Sequence, residues 1–330
     1  MRRIRRILVA VKDPSARNAP AVTRGAQLAQ ALGAKLVLFQ AISAPMYVDL
    51  DVSLLGGGMA DIERTTRGAC LARLEAAARP LRRAGLRVTV SAAWDYPVYE
   101  AIIREAARVG ADLVVAERHA GRHLAAGLLH LTDWELLRLS PRPVLLVKRA
   151  GAYRRPVVLA AVDPDHAYAK PVRLDQAVLQ MGAAIAGALR GTLHAVHAYA
   201  PLPVAAFSRG VQSEADLRRL ELDASRDAAR KLERAVRTAN IPPSRRHLLG
   251  LHPADAIAQA AARTGSALVV MGAIARSGLK RLVIGNTAER VLDRLPCDLL
   301  IVKPAKAPAR VPRARRGVRY ADLQPAVRIY

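Results

Sequence analysis

The sequence predicts an α/β fold of two tandem doubly wound parallel-sheet domains, and three observations support this class. Short runs of Val, Leu and Ile alternate with longer segments of helical period, which is typical of parallel strands joined by crossover helices. The chain has 330 residues and is 52% hydrophobic, enough for two cores. Only 4% of its residues are aromatic, and an aliphatic core suits parallel α/β packing.

The first half of the sequence contains five predicted strands with helices between them. The strands are predicted at residues 7–11, 35–41, 87–93, 112–116 and 144–147. The helices are predicted at residues 19–32, 60–84, 97–109 and 133–139. Gly33 follows the first helix as a C-cap, and Pro141 stops the last one.

The same order of segments then restarts, which indicates an internal duplication of about 150 residues per unit. Its strands and helices are predicted at residues 156–162, 172–189, 193–198, 217–239, 268–271 and 299–302. The closing segments PRPVLLVK and PCDLLIVK are near copies. We therefore predict domains at 1–150 and 151–304, followed by a basic tail at 305–330 whose Ala, Pro and Arg content predicts disorder. The apolar final strands of the two units could pair the domains with each other or pair two chains as a homodimer.

The most informative stretch joins the last two predicted strands. The strand at 268–271 ends at Gly272, a basic loop containing Arg276 follows, and Gly285 precedes a helix with Asn286 as its predicted N-cap. Glycine lets backbone N–H groups approach an anion, and a helix N-terminus favours negative charge, so the arrangement favours phosphate. The alternative is that the glycines only end a strand and begin a helix.

The spacing of Gly272, Ala275, Gly285 and Asn286 resembles the G-x2-G-x9-G-(S/T/N) nucleotide loop of the universal stress protein family. The flanking sequences VVMG and NTAERVLDRLPCDLLIVKP are also similar to that family. The duplicated chain resembles the two-domain, E-type members up to about Lys303. Ala275 replaces the second glycine of the family pattern, and its methyl group would crowd a phosphate.

The resemblance implies an adenine-nucleotide site, for ATP or a related nucleotide, in the second domain. The residues it assigns to this site are Asp163, Ala198, Val270, Met271, Gly272, Ala275, Arg276, Gly285, Asn286 and Thr287. The first domain has AERHAGR where the second has GAIARSG, so the first loop is degenerate and we expect no nucleotide there.

The function implied by the resemblance is that of a cytoplasmic stress-response protein that binds or signals through a nucleotide. We assign no catalytic residues, because the sequence has no dinucleotide fingerprint, Walker loop or nucleophile elbow. Two alternatives stay open: a site for another phosphate-bearing or lipid-like metabolite, and a weak ATPase activity.

The net charge, the cysteines and the hydropathy of the chain indicate where the protein is located and what it could bind. The net charge of +25 and the basic tail could attract nucleic acid nonspecifically. The alternative is that the basic residues are spread over solvent-exposed helix faces, as most charge runs are. The two cysteines, Cys70 and Cys297, give no disulfide framework. No apolar run reaches the roughly 20 residues of a membrane span, and the basic N-terminus lacks a signal-peptide core. These features favour a cytoplasmic protein.

Histidines provide one metal hypothesis. His119 and His123 are four residues apart and His130 follows, a spacing that would suit zinc if the stretch is helical. The alternative is that these three histidines are exposed to solvent on a basic connecting segment. His194 and His197 lie on a predicted strand and should point to opposite faces, so we do not expect them to share a metal.

Overall fold

The computed structural model describes residues 3–16, 19–42, 59–118, 126–164, 174–200, 213–272, 286–304 and 311–312. The strands within these ranges are β1 (Arg6–Ala10), β2 (Lys35–Ile42), β3 (Val88–Trp94), β4 (Leu113–Glu117), β5 (Val144–Val147), β6 (Val157–Ala161), β7 (Thr192–Ala198), β8 (Arg246–Leu249), β9 (Leu268–Gly272) and β10 (Asp298–Val302). The α-helices are α1 (Pro20–Leu32), α2 (Met59–Arg83), α3 (Val98–Arg108), α4 (Ala126–Leu139), α5 (Leu174–Ala188), α6 (Glu214–Val236), α7 (Pro253–Arg263) and α8 (Asn286–Arg294). We call β1 to β5 repeat 1 and β6 to β10 repeat 2.

The nine strands that the sequence predicts are confirmed to within one residue at each end, but two helix starts and one strand differ. Helix α4 begins at Ala126, earlier than predicted. Helix α6 begins at Glu214 because Ser213 is its N-cap, whose Oγ accepts the N–H of Asp216 at 3.1 Å. Strand β8 was missed, since its four residues, RHLL, are too short and too polar to predict a strand.

All ten strands form one sheet in the order β3-β2-β1-β4-β5-β10-β9-β6-β7-β8. Neighbouring strands are parallel except at the centre, where β5 and β10 are antiparallel and Leu146 lies opposite Leu299. The two final strands therefore pair within one chain. The sheet of each repeat is doubly wound. In repeat 1, β1 lies between β2 and β4, and in repeat 2, β6 lies between β7 and β9.

Two hydrophobic cores lie on the two faces of this sheet. Alternate strand residues point to opposite faces, so Val9 and Leu36 belong to one core, and Leu8 and Val37 belong to the other. Helices α1, α2, α5 and α6 cover the first face, and α3, α4, α7 and α8 cover the second. Helices α1 and α5 contact each other where the repeats meet.

A buried polar cluster crosses the junction between the repeats. Asp298 at the start of β10 is fully buried and accepts a hydrogen bond from Tyr153 Oη at 2.6 Å and from the backbone N–H of Lys148 at 2.8 Å. The Nε of Arg24, on α1, lies 3.4 Å from the same carboxylate, and its guanidinium covers the Tyr153 ring at 3.6 Å. This cluster joins a helix of repeat 1, the connecting segment and a strand of repeat 2.

One outer edge of the sheet is protected by arginines. Edge strand β3 presents alternate backbone carbonyl groups away from β2. The carbonyl oxygen of Val88 accepts Arg82 Nε at 2.9 Å, and that of Ala92 accepts Arg67 Nε at 3.0 Å. Both arginines lie on α2, so this helix satisfies edge carbonyls that another strand would otherwise bind. In the part of the chain that the structure describes, no helix is long and apolar enough to cross a membrane.

Candidate functional site at the strand ends of repeat 2

The candidate site lies at the C-terminal edge of β9, β6 and β7. Ala161, the last residue of β6, lies opposite Met271 on β9 and Val196 on β7. The chain leaves β6 toward β7 on one side and reaches β9 from the other side. This change of direction is the topological switch point where open α/β sheets form a ligand crevice.

The structure brings three of the predicted residues to this edge. Asp163 lies two residues beyond β6, Ala198 ends β7 and Gly272 ends β9. The side chain of Val270 is fully buried in the sheet, and that of Met271 is 7% exposed. Val270 can therefore offer only its backbone to a ligand.

Asp175 lies at the candidate site and was not predicted from the sequence. It lies in the first turn of α5, is 8% exposed, and its Oδ1 accepts the backbone N–H of Asp163 at 3.1 Å. An acidic residue in a first helical turn is ordinary, so the sequence carried no signal of this contact. Asp175 fixes the backbone where β6 ends.

A second neighbour fixes the end of β9. A Cβ atom added at Gly272 would lie 2.6 Å from Cδ2 of Leu174, the first residue of α5. Such a distance is far inside van der Waals contact. Any larger residue at Gly272 would therefore force Leu174 to move, independently of any ligand.

The phosphate end of the predicted site is described only in part. Ala275, Arg276 and Gly285 lie outside the described residues. Helix α8 begins at Asn286, with Thr287 next, and of these two residues only the helical backbone is described. Because α8 leads back to β10, a parallel neighbour of β9, its N-terminus lies at the same edge as Gly272.

The corresponding edge of repeat 1 carries a carboxylate. Strand pairing makes Glu117 the counterpart of Gly272, since Leu113 lies opposite Ile7 as Leu268 lies opposite Val158. The alignment of AERHAGR with GAIARSG, which set Ala116 against Gly272, is therefore wrong by one residue. Glu117 Oε1 accepts the backbone N–H of Ala21 at 3.0 Å, at the start of α1. This helix N-terminus is therefore already satisfied by an anionic group of the chain itself, which would repel a phosphate.

The predicted histidine ligands fall largely outside the described part of the chain. His119 and His123 lie outside it, and the side chain of His130 is not described. Among the side chains that the structure does describe, no group of three or more His, Cys, Asp or Glu residues is placed to hold a metal. His194 and His197 diverge as predicted: His194 Nδ1 lies 3.0 Å from His247 Nε2, whereas His197 Nδ1 lies 3.3 Å from the Val162 carbonyl oxygen.

A duplicated, doubly wound α/β sheet with a topological switch point in each half defines a class of tandem α/β folds. The chain belongs to the universal stress protein family, whose model matches residues 3–148 and 158–303. Universal stress protein E of Escherichia coli strain K12 is 28% identical to it over 309 residues, which cover 90% of this chain and 93% of the relative.

Two solved structures have a similar fold over most of the chain. A functionally unknown protein from Pseudomonas aeruginosa PAO1 is 28% identical, with a TM-score of 0.66, and the match covers 91% of this chain and 93% of that one. A universal stress protein from Archaeoglobus fulgidus DSM 4304 is 17% identical, with a TM-score of 0.58, and the match covers 91% and 97% of the two chains. The second likeness supports the fold alone.

Proposed function

We propose that the protein is a stress-response binding module with a single adenine-nucleotide site, for ATP or a related nucleotide, at the strand ends of repeat 2. Asp163 and Ala198 would flank the base and ribose, together with the backbone of Val270 and Met271. The phosphates would meet Gly272, Ala275, Arg276, Gly285, Asn286 and Thr287. We also propose a cytoplasmic location, consistent with two cysteines that are both buried and free.

The observation that supports a single site is the contrast between two equivalent strand ends. Gly272 ends β9 without a side chain, whereas Glu117 ends β4 with a carboxylate that accepts the Ala21 N–H. A nucleotide phosphate at the end of β4 would face this negative charge, whereas the end of β9 carries no side chain, and the aspartates of that edge, Asp163 and Asp175, lie beyond β6 instead.

Ala275 favours a second candidate function at the same edge. Its methyl group stands where the family pattern has glycine, so the loop would accept ATP poorly and bind a different phosphate-bearing or lipid-like metabolite. The other alternative, a weak ATPase activity, would use the proposed adenine-nucleotide site of repeat 2.

The test begins with the ligand that the protein retains. Mass spectrometry of small molecules released by denaturing the purified protein should find ATP or ADP at near-stoichiometric amount, and calorimetry should show heat on titration with ATP. Conversion of ATP to ADP during incubation would identify the ATPase alternative. A different phosphate-bearing or lipid-like metabolite would support the second candidate.

Two variants locate the site. Gly285→Val should abolish ATP binding, because a branched side chain would block the backbone approach to phosphate. Glu117→Gln, at the equivalent edge of repeat 1, is the matched control and should bind ATP as the unmodified protein does. Unchanged affinity in Gly285→Val, or no ATP heat and no retained nucleotide in the unmodified protein, would overturn the nucleotide proposal.

A further inference from the structure

Three basic residues lie side by side at the opposite, N-terminal edge of repeat 1. Arg6 begins β1 and lies opposite Lys35, which begins β2. Leu36 N donates to the carbonyl oxygen of Arg87 at 2.9 Å, and Leu36 lies opposite Val88, so Arg87 is level with Lys35. Neighbouring strands are about 4.8 Å apart, which spaces the three side chains in a line across the sheet. We call Arg6, Lys35 and Arg87 the basic row.

The basic row faces a groove between the strand starts and the end of α3. Residues level with one another on paired strands share a face, and Val37, two residues beyond Lys35, belongs to the core under α3. Arg6 Nη1 lies 3.5 Å from where a Cβ of Gly110 would be, in the turn after α3. The groove measures about 740 Å³. Its cationic lining residues are Arg6, Lys35, Arg82, Arg87 and Arg108.

The basic row differs from the other two cations of the groove in its ion pairs. Arg82 is paired with Glu75 and Arg108 with Glu105. Within the described part of the chain, none of the three residues of the basic row forms an ion pair with a carboxylate.

One carboxylate, that of Asp112 just before β4, is level with Arg6 at the end of the basic row. Asp112 Oδ2 accepts the backbone N–H groups of Arg5 and Arg6, at 2.8 Å and 3.1 Å. Like charges at level positions on adjacent strands destabilise a sheet, so repulsion within the basic row would be relieved by an anion lying across it, although Asp112 offsets part of the charge at the Arg6 end.

The duplication provides an internal comparison. In repeat 2, Val157 lies opposite Thr192 as Arg6 lies opposite Lys35. Arg246 lies opposite Ala195, and counting back three residues gives Pro243 as the sequence counterpart of Arg87, although Pro243 begins a 3₁₀ turn and not a strand. None of these three counterparts is charged. Repeat 2 also has arginines at this edge, Arg245 and Arg246 at the start of β8, but Arg246 is level with Ala195 and Ala160, so among the described strands a row of three level cations occurs in repeat 1 and not in repeat 2.

We propose that this groove binds a linear oligophosphate, with its phosphates along the basic row. The volume falls in the range of small-ligand sites, about 300–1,000 Å³. No aromatic side chain is among the described residues that line the groove, and these residues therefore offer no platform on which nucleobases could stack. A phosphate chain without bases fits this lining better than single-stranded nucleic acid. The site is separate from the proposed nucleotide crevice and does not depend on it.

The experiment is calorimetric titration of the full chain with sodium tripolyphosphate, carried out in the Gly285→Val background so that the proposed nucleotide loop does not contribute. The triple variant Arg6→Gln, Lys35→Gln, Arg87→Gln should lose about 10-fold or more in affinity at low salt, and the salt dependence should become shallower. The matched control removes three exposed cations of α6 instead, by Arg219→Gln, Arg226→Gln and Arg230→Gln, and should change the affinity less than about 2-fold.

Three outcomes would overturn the proposal: no tripolyphosphate binding, equal losses in the row and control variants, or tighter row-dependent binding of a single-stranded RNA of matched charge. A stability measurement shows whether the row variant is folded like its parent. Without ligand, the row variant should unfold at the same or a higher urea concentration than its parent, because repulsion is removed. A lower midpoint would show that the row stabilises the fold and would contradict the repulsion on which the proposal depends.

Discussion

Lys148 and Lys303 occupy equivalent positions in the two repeats, and each donates from Nζ to the end of the last helix of the other repeat. Lys148 follows β5 and donates to the carbonyl oxygen of Leu295, just beyond α8, at 2.9 Å. Lys303 follows β10 and donates to the carbonyl oxygen of Leu137, at the end of α4, at 2.5 Å. Carbonyl groups at a helix C-terminus lack intrahelical partners and favour cations. Each repeat therefore supplies the C-terminal cap of the other.

These two lysines should give the protein a distinctive alkaline pH dependence. Burial lowers the pKa of both Lys148 and Lys303 to about 8, and in Lys148 the nearby Arg118 adds to the effect. An unfolded lysine has a pKa of about 10.4, so between pH 8 and 10 the unfolded state holds more protons than the folded state. The free energy of unfolding contributed by these groups must then rise with pH.

The measurement is urea unfolding of the wild type and of the Lys148→Met, Lys303→Met double variant from pH 7 to 10. The difference between them should be flat below pH 8 and should then grow in favour of the wild type by on the order of 1 kcal/mol, a value reduced for partial solvent exposure. Lys12→Met, at an exposed lysine, is the matched control and should leave the wild-type pH profile unchanged. A constant difference across the whole range would show that the lysines titrate as free side chains.

The Asp298 cluster should carry much of the stability of the junction. Asp298→Ala leaves the buried guanidinium of Arg24 without its counter-charge, and we expect a loss of about 3–5 kcal/mol in the free energy of unfolding. Tyr153→Phe removes one hydrogen bond and should cost about 1–2 kcal/mol. The double variant Arg24→Met, Asp298→Leu should cost less than Asp298→Ala alone, because no unpaired charge remains.

Urea unfolding of these variants provides the measurement. Exchange of the exposed pair Glu214 and Arg218 on α6 for alanine is the control and should cause little change, since exposed ion pairs contribute little. Equal costs for Asp298→Ala and for the control would mean that the cluster does not hold the repeats together.

The strands could be predicted because their apolar runs are short and β-branched, and the duplication made each repeat a check on the other. The sequence suggested that β5 and β10 could pair, but not whether the two strands come from one chain or from two. VLLV and DLLIV are apolar enough to pair within one chain or between two, and only the fold shows them pairing within one.

The candidate site was predictable in position but not in its supporting contacts. Strand ends on either side of a switch point follow from the order of elements, so Asp163 and Gly272 could be placed. The bond from Ala21 N to Glu117 joins residues 96 positions apart, and that from Asp163 N to Asp175 depends on how α5 approaches β6. A side chain that accepts a distant backbone N–H leaves no periodic pattern in a sequence.

Gly272 and Leu174 should behave as a coupled pair in stability measurements. Gly272→Ala places a methyl group against Leu174 and should cost about 1–3 kcal/mol through overpacking. Leu174→Ala alone should cost about 2–5 kcal/mol, because this side chain is only 1% exposed. The double variant should cost less than the sum, with a coupling of about 1 kcal/mol or more. Additive costs in urea unfolding would mean that Gly272 is not constrained by packing.

The stacked pair His194 and His247 should make the outer part of repeat 2 sensitive to acid. Their ring centroids are 5.3 Å apart with planes inclined by 7°, and His194 Nδ1 lies 3.0 Å from His247 Nε2. Burial lowers the pKa of both imidazoles, helped by His247 and Arg245 at His194 and by Arg263 at His247. Because the folded pKa values lie below those of the unfolded chain, the unfolded state binds more protons as the pH falls below about 6.5, and the free energy of unfolding decreases.

The urea midpoint of the wild type should therefore fall between pH 6.5 and 5, as the unfolded imidazoles take up protons. The His194→Gln, His247→Gln variant should fall less, because an amide can keep a hydrogen bond across the two strands and does not titrate. Either single variant should fall by an intermediate amount, since the remaining imidazole keeps its burial and its arginine neighbour but loses the second histidine. If the wild type and the double variant have parallel pH profiles, protonation of this pair does not oppose folding, and the acid sensitivity of the protein comes from its carboxylates.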